Sequence, residues 1–82
     1  MSRKETVKKF VVESFLFGDA SRLKDEASLL ENGIVDSTGM LEMINFLEAT
    51  YAIKIQDQEL LPSNLDSVVN IDNFLTSKLG RE

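Results

Sequence analysis

The chain has 82 residues and a net charge of −5, with 43% hydrophobic and 28% charged residues, but no cysteine and no histidine. This length allows one small core and excludes a second domain. The missing residue types exclude disulfides, thiolate nucleophiles, the usual zinc sites and histidine-based catalysis, so we do not expect an enzyme.

The first predicted helix begins at a capping box, in which Ser2 and Glu5 each satisfy a free amide of the other. Gly18 is expected to end it. The residues predicted to face inward recur at steps of three and four: Val7, Phe10, Val11, Ser14 and Phe15.

A long connection follows, over residues 19–36. Loops above about 12–15 residues are uncommon in compact domains and are often functional or partly ordered. We expect this one to pack on the core and to contain a short helical turn, because it carries five large apolar residues: Leu23, Leu29, Leu30, Ile34 and Val35.

The second predicted helix begins at Asp36 or Ser37 and ends near Ala52. Its core stripe consists of Met40, Met43, Ile44, Leu47 and Tyr51. Leu41 and Phe46 lie off that stripe, so the helix has more apolar surface than one buried face needs. Two interpretations stay open, a wide buried face and a partner contact.

The remaining chain predicts a short helical turn over residues 57–61, ended before Pro62, and a last helix capped by Asp66 or Ser67 and stopped by Gly80. The inward residues of that helix are predicted to be Val68, Ile71, Phe74, Leu75 and Leu79. The predicted fold is an all-α four-helix bundle over residues 1–82, with three main helices, one short helix and a long loop between helices 1 and 2.

Charge and hydropathy restrict location and partners. Between residues 31 and 76 eight carboxylates accompany a single lysine, and such a surface repels nucleic acid phosphates and attracts basic protein patches. No apolar run reaches the about 20 residues of a membrane span, and no signal-peptide stretch follows the first residues. We expect a cytoplasmic monomer that does not bind nucleic acid, does not span a membrane and has no metal site.

The dipeptide Asp36-Ser37 is the most informative local motif. By itself it predicts an ordinary helix cap, with Asp36 accepting hydrogen bonds from the first free amides and Ser37 at the first helical position. The same dipeptide recurs as Asp66-Ser67, where the same capping role is expected. What distinguishes Ser37 is its place after Gly33 and a long loop, at the start of an acidic helix.

These features in this order resemble the acyl carrier protein family, including its aminoacyl and peptidyl carriers, over nearly the whole chain. The resemblance implies that Ser37 is modified with 4′-phosphopantetheine by a phosphopantetheinyl transferase acting on coenzyme A. The thiol of that arm carries acyl or aminoacyl intermediates as thioesters. Asp36 is implied to serve the transferase complex before modification.

The resemblance also places partner contacts on the second helix, at Thr38, Leu41, Glu42, Asn45 and Glu48. Residues 38, 41, 45 and 48 share one helical face by spacing. The implied partners are the transferase, an acyl- or aminoacyl-loading ligase and downstream synthase or transferase enzymes. Four apolar residues are expected in a core that parts to shelter a carried chain: Met43, Ile44, Leu47 and Phe74.

Thr38, Gly39 and Asn45 depart from the pattern of fatty acid carriers and, with the spacing from Gly33 to Ser37, make the chain more similar to aminoacyl and specialised stand-alone carriers. An alternative function is an unmodified acidic helical interaction module with Ser37 as a plain cap residue. A regulatory protein phosphorylated on Ser37 is less favoured, because no basic or proline-directed context surrounds it.

Overall fold

The computed structural model describes residues 2–80, and within that range it is helical, without a strand. Residues 1, 81 and 82, which the predicted domain includes, lie outside the described residues. The helices are α1 (Arg3–Phe15), α2 (Ser37–Tyr51), α3 (Pro62–Leu65) and α4 (Val68–Leu79). Short 3-10 turns occur at Ala20–Arg22 and Asp57–Glu59. The predicted small four-helix bundle is confirmed.

Helix α1 begins as predicted. The Ser2 hydroxyl accepts a hydrogen bond from the Glu5 amide at 3.1 Å, and the Ser2 amide donates to the Glu5 carboxylate at 3.3 Å. Val7 and Val11 are fully buried. The prediction that Ser14 faces inward is wrong, since Ser14 is exposed and Phe15 takes the position that packs on the core.

Helix α1 runs antiparallel to both long helices. The ring of Phe10 stacks on Phe46 of α2, with centroids 4.0 Å apart. At the other end of α1, the guanidinium of Arg3 donates to the Gly80 carbonyl, just after α4, at 3.2 Å. The C-terminal end of α1 therefore lies beside the start of α2, and its N-terminal end lies beside the end of α4.

The long connection packs on the core, as predicted, and contains the turn Ala20–Arg22. Two backbone hydrogen bonds tie it to the start of α4, from the Leu29 amide to the Asp66 carbonyl (2.7 Å) and from the Val69 amide to the Asp25 carbonyl (2.9 Å). Leu30 differs from the prediction: it is 44% exposed, while the other four apolar residues of the connection are buried.

The short helix begins at Pro62, whereas it was expected to end before that residue. A turn forms at Asp57–Glu59 as predicted, but the four-residue α3 begins with Pro62 itself. Proline is tolerated at the first helical position, because the amide of that position has no partner within the helix. The rule that a residue before proline avoids helical geometry therefore marked the start of α3.

Helix α4 is capped by Ser67, whose hydroxyl accepts from the Asn70 amide at 3.0 Å. Leu79 was predicted to face inward, but it lies in the last turn and is 37% exposed. The core joins all four helices and the long connection. Its fully buried large residues are Val7, Val11, Leu29, Met43, Leu47, Val68, Ile71 and Leu75.

Within residues 2–80, no helix has both the length and the apolar character needed to cross a bilayer. The longest helix, α2, has 15 residues, whereas a membrane span needs about 20.

Candidate functional site

Ser37 is the first residue of α2, and its position is set by the cap before it. The Asp36 carboxylate accepts a hydrogen bond from the Gly39 amide at 2.7 Å, and the Asp36 carbonyl accepts from the Met40 amide at 2.8 Å. The Ser37 side chain is exposed. Among the described residues, the Ser37 and Thr38 amides donate no hydrogen bond to the protein. The hydroxyl thus lies at an open helix N-terminus.

The chain before Asp36 is held by the core. Gly33 has φ +67°, a left-handed conformation that glycine adopts without strain. The next two amides, of Ile34 and Val35, both donate to the Leu29 carbonyl, at 3.0 and 3.2 Å. Both side chains are buried. The chain therefore leaves the core at a fixed point, and the dipeptide that follows emerges on the surface.

Gly39, which the sequence analysis named only as a departure from the pattern of fatty acid carriers, is also a residue of this site. A Cβ on Gly39 would lie 3.0 Å from a ring carbon of Phe15 and 3.1 Å from a methyl carbon of Val35. Glycine therefore lets the end of α1 pack directly against the first turn of α2. The sequence signal for this contact was a glycine inside a predicted helix, because such a glycine often has a packing role.

An apolar groove opens beside Ser37, between α2 and α3, with a volume of about 240 Å³. Sequence reasoning did not predict it, although Leu60 and Leu61 before Pro62 were a signal of unpartnered apolar surface. Leu30, Leu41, Leu60 and Leu61 border it while exposed. The complete lining is Leu30, Ser37, Met40, Leu41, Ile44, Leu60, Leu61, Pro62, Leu65 and Asp66.

The predicted partner-binding residues fall into two groups. Thr38, Leu41, Glu42 and Asn45 are exposed on α2, and Leu41 is 61% exposed. Glu48 is half-buried, and its carboxylate accepts a hydrogen bond from the Ile55 amide at 2.9 Å. Glu48 therefore holds the chain after α2, so the fifth member of the predicted surface has a structural partner.

The two residues that lay off the predicted core stripe of α2 have different environments. Leu41 borders the groove, whereas Phe46 is partly buried and stacks on Phe10. The excess apolar surface of α2 is thus divided between a wider packed face and a single exposed residue. Of the four residues predicted in a parting core, Met43, Leu47 and Phe74 are buried, and Ile44 is half-buried and lines the groove.

The second Asp-Ser pair has a different arrangement, so the expectation of one shared role is wrong. Ser67, not Asp66, caps its helix, and Ser67 is only 5% exposed. The Asp66 carboxylate accepts from the Ser28 hydroxyl and from the Leu30 amide, the latter at 3.0 Å. Asp66 therefore fixes the long connection, and Ser67 is enclosed.

Two acidic residues away from α2, Asp25 and Glu59, are paired with lysines. Asp25 lies 2.8 Å from Lys8 and 3.2 Å from Lys4, and hydrogen bonds from those two lysines lower the pKa of Asp25. Glu59 lies 2.9 Å from Lys78. By contrast, no carboxylate of α2 or of its cap forms an ion pair with any of residues 2–80. The negative charge around Ser37 is therefore not neutralised locally.

Comparisons with known proteins give the fold. No protein-family model matches the chain, and no curated protein matches it. Among solved structures, it is similar to a chain of "Crystal structure of FAD-dependent dehydrogenase", with a TM-score of 0.74 and 28% identity. The alignment covers 84% of this chain and 97% of that chain, so the two are close in length.

Proposed function

We propose that the protein is a carrier that holds acyl or aminoacyl intermediates as thioesters on a 4′-phosphopantetheine arm attached to Ser37, as a specialised stand-alone member of the acyl carrier protein family. The observation that carries this proposal is the placement of one exposed hydroxyl at an open helix N-terminus, directly beside an apolar groove. The enclosed Ser67 of the matching dipeptide offers neither feature.

The residues around Ser37 fit a phosphodiester. The Ser37 and Thr38 amides donate to no acceptor among the described residues, and free amides at the positive end of a helix dipole stabilise an attached phosphate. When bound, the arm supplies a thiol, which the chain itself lacks. Ser37 supplies the oxygen that holds the arm, and the buried Ile34 and Val35 keep that oxygen at a fixed place.

Asp36 has a different part in the proposal. Its carboxylate is held by the Gly39 amide, and it would repel a phosphate on the adjacent Ser37. We therefore assign Asp36 a role before attachment, in positioning the first turn of α2 and in offering a negative charge to the transferase complex. A cap residue has this charge available, because only part of its hydrogen-bonding capacity is used in the cap.

The groove supports a carried group of modest size. Its lining is mainly aliphatic, and its volume is about 240 Å³. Burial of apolar surface there contributes about 25 cal/mol per Å², which favours an apolar segment of the arm or of its cargo next to Ser37. Shelter of a chain between Ile44 and the core residues Met43, Leu47 and Phe74 is part of this proposal.

The exposed face of α2 is the proposed docking surface for partner enzymes. Thr38, Leu41, Glu42 and Asn45 are accessible there, and the α2 carboxylates lack ion-pair partners among residues 2–80. Individual exposed ion pairs contribute only about 0–1 kcal/mol, which suits partners that must bind and leave in turn. These partners are the transferase, a loading ligase and downstream synthases or transferases, in the cytoplasm.

We do not assign dehydrogenase activity to this chain. The similarity to a chain of a FAD-dependent dehydrogenase structure instead supports a FAD-dependent dehydrogenase as one class of partner enzyme.

The decisive experiment is intact-mass spectrometry after incubation with coenzyme A, magnesium and a broad-specificity phosphopantetheinyl transferase. The unaltered chain should gain one phosphopantetheine, Ser37→Ala should gain none, and the matched control Ser67→Ala should gain one. Failure of the unaltered chain with several transferases would favour the unmodified acidic interaction module. A gain in Ser37→Ala would move the attachment site elsewhere.

A further inference from the structure

Phe17, just after α1, is an unusual residue of the surface. Its side chain is fully exposed, whereas its neighbour Leu16 is 2% exposed. The turn around it is held by backbone hydrogen bonds, from the Gly18 amide to the Val12 carbonyl at 3.0 Å and from the Asp19 amide to the Leu16 carbonyl at 2.9 Å. The phenyl ring is therefore not packed in the core of the folded chain.

The backbone of Phe17 makes its identity more surprising. Phe17 has φ +53°, in the left-handed region that residues with a Cβ adopt at a cost. Glycine is the usual residue where a helix ends in this conformation. Single exposed apolar side chains are common on proteins, but this one combines complete exposure with a backbone conformation that glycine would adopt more easily.

The ring lies at the same end of the molecule as Ser37. Phe15, two residues before it, approaches to 3.0 Å from the position of a Cβ on Gly39, which is two residues after Ser37. Since α1 and α2 are antiparallel, the turn that bears Phe17 lies next to the first turn of α2. The turn that bears Phe17 is thus adjacent to the helix start that an enzyme acting on Ser37 must reach.

The charges near Phe17 indicate the kind of surface it fits. Glu13, one helical turn earlier, and Asp19, two residues later, are both exposed carboxylates. Hydrogen bonds from Ser21, with the nearby charge of Arg22, lower the pKa of Asp19 and keep it ionised. The complementary surface is an apolar pocket edged by lysine or arginine side chains.

We infer that Phe17 is a docking anchor for the transferase that modifies Ser37, its ring entering an apolar, basic-edged pocket of that enzyme. This inference rests on the proposed function and extends the docking surface beyond α2 to the end of α1. Aromatic side chains that become fully enclosed on binding dominate many interfaces. A carrier that keeps its anchor exposed needs no rearrangement before it binds.

The experiment is steady-state phosphopantetheinylation of the full chain with coenzyme A, comparing Phe17→Gly, Phe17→Leu and the unaltered protein. Phe17→Gly should lower kcat/KM about tenfold or more, the size expected for loss of an interface anchor, mainly through KM. Phe17→Leu should recover most of that loss. The control is Leu79→Ala. Leu79 is an exposed apolar residue at the end of α4, which lies beside the N-terminus of α1, and its substitution should leave kcat/KM unchanged.

Thermal unfolding separates docking from folding. Because glycine relieves the left-handed conformation and the ring is not packed, Phe17→Gly should keep or raise the Tm. An equal kcat/KM for Phe17→Gly and the unaltered chain would overturn the inference, and so would a fall in Tm that accompanies the rate loss. Failure of the unaltered chain to be modified would instead contradict the proposed function.

Discussion

The two Asp-Ser pairs of this chain are identical in sequence and opposite in structure. At the start of α2 the aspartate is the cap, so the serine becomes the first helical residue and is exposed. At the start of α4 the serine is the cap and is enclosed, while the aspartate binds the long connection. The cap is the first residue of one pair and the second residue of the other. This difference of one position leaves the Ser37 hydroxyl on the surface and gives the Ser67 hydroxyl a structural role.

The difference arises from what each aspartate meets. Among residues 2–80, the Asp36 carboxylate accepts a hydrogen bond from one amide of its own helix, that of Gly39. Asp66 has the Ser28 hydroxyl and the Leu30 amide, both brought to it by the long connection. Once these partners occupy the Asp66 carboxylate, the following serine is left to satisfy the Asn70 amide. The free hydroxyl of Ser37 therefore depends on the absence of such a partner near Asp36 among the described residues.

The largest expected loss of stability follows from substitution of the two aspartates. Asp66→Ala should destabilise the protein by about 1–3 kcal/mol, since it removes the shared acceptor of the Ser28 and Leu30 donors. Asp36→Ala should cost about 1 kcal/mol, the usual value of a helix cap. Urea unfolding followed by circular dichroism measures both. A larger loss for Asp36→Ala than for Asp66→Ala would contradict the assigned roles.

We expect Ser67 to contribute to stability and not to modification, and Ser37 to be needed for modification and not for stability. Ser67→Ala should lower the free energy of unfolding by about 1 kcal/mol, because its hydroxyl caps α4, yet leave phosphopantetheinylation intact. Ser37→Ala should change stability by less than about 0.5 kcal/mol, as exposed substitutions usually do. The same urea titrations decide this. Equal losses of stability for the two variants would mean that Ser37 also serves as a cap.

A substitution with two opposing effects on stability tests why the first turn of α2 contains glycine. In Gly39→Ala, a gain in helix propensity of about 1 kcal/mol opposes overpacking of about 1–3 kcal/mol against Phe15 and Val35. The difference between these two terms is a net loss of about 0–2 kcal/mol, which urea unfolding measures. Thr38→Ala, at the exposed neighbouring position, is the control and should be nearly neutral. A more stable Gly39→Ala would show that Phe15 yields easily.

Much of the fold could be predicted because its signals are local. Capping at Ser2 depends on residues three positions apart, and the stripes of α1 and α2 depend on helical periodicity. The errors came where local rules allow two outcomes. Ser14 and Leu79 have inward spacing but are exposed, and Pro62 begins a helix where it was expected to end one.

The candidate site divides in the same way. The sequence indicated Ser37, Asp36 and the exposed positions of α2 through order, spacing and family resemblance. It did not indicate that the Glu48 carboxylate binds the Ile55 amide, because a charged residue on a helical face is ordinarily solvated. It also did not indicate the groove, whose walls come from the long connection, α2 and α3.

By itself, the sequence determined an all-α chain with the starts of its three long helices, its acidic second helix and a serine at the entrance of that helix. Only the tertiary structure decided which Asp-Ser pair is open, that Gly39 lies close to Phe15 and Val35, and that Phe17 is fully exposed just after α1. The physical reason is the distance along the chain over which each interaction acts. Helix caps and apolar stripes depend on residues a few positions apart. Burial and close contact depend on residues that are distant in sequence, such as Phe15 and Gly39, or Leu30 and Asp66.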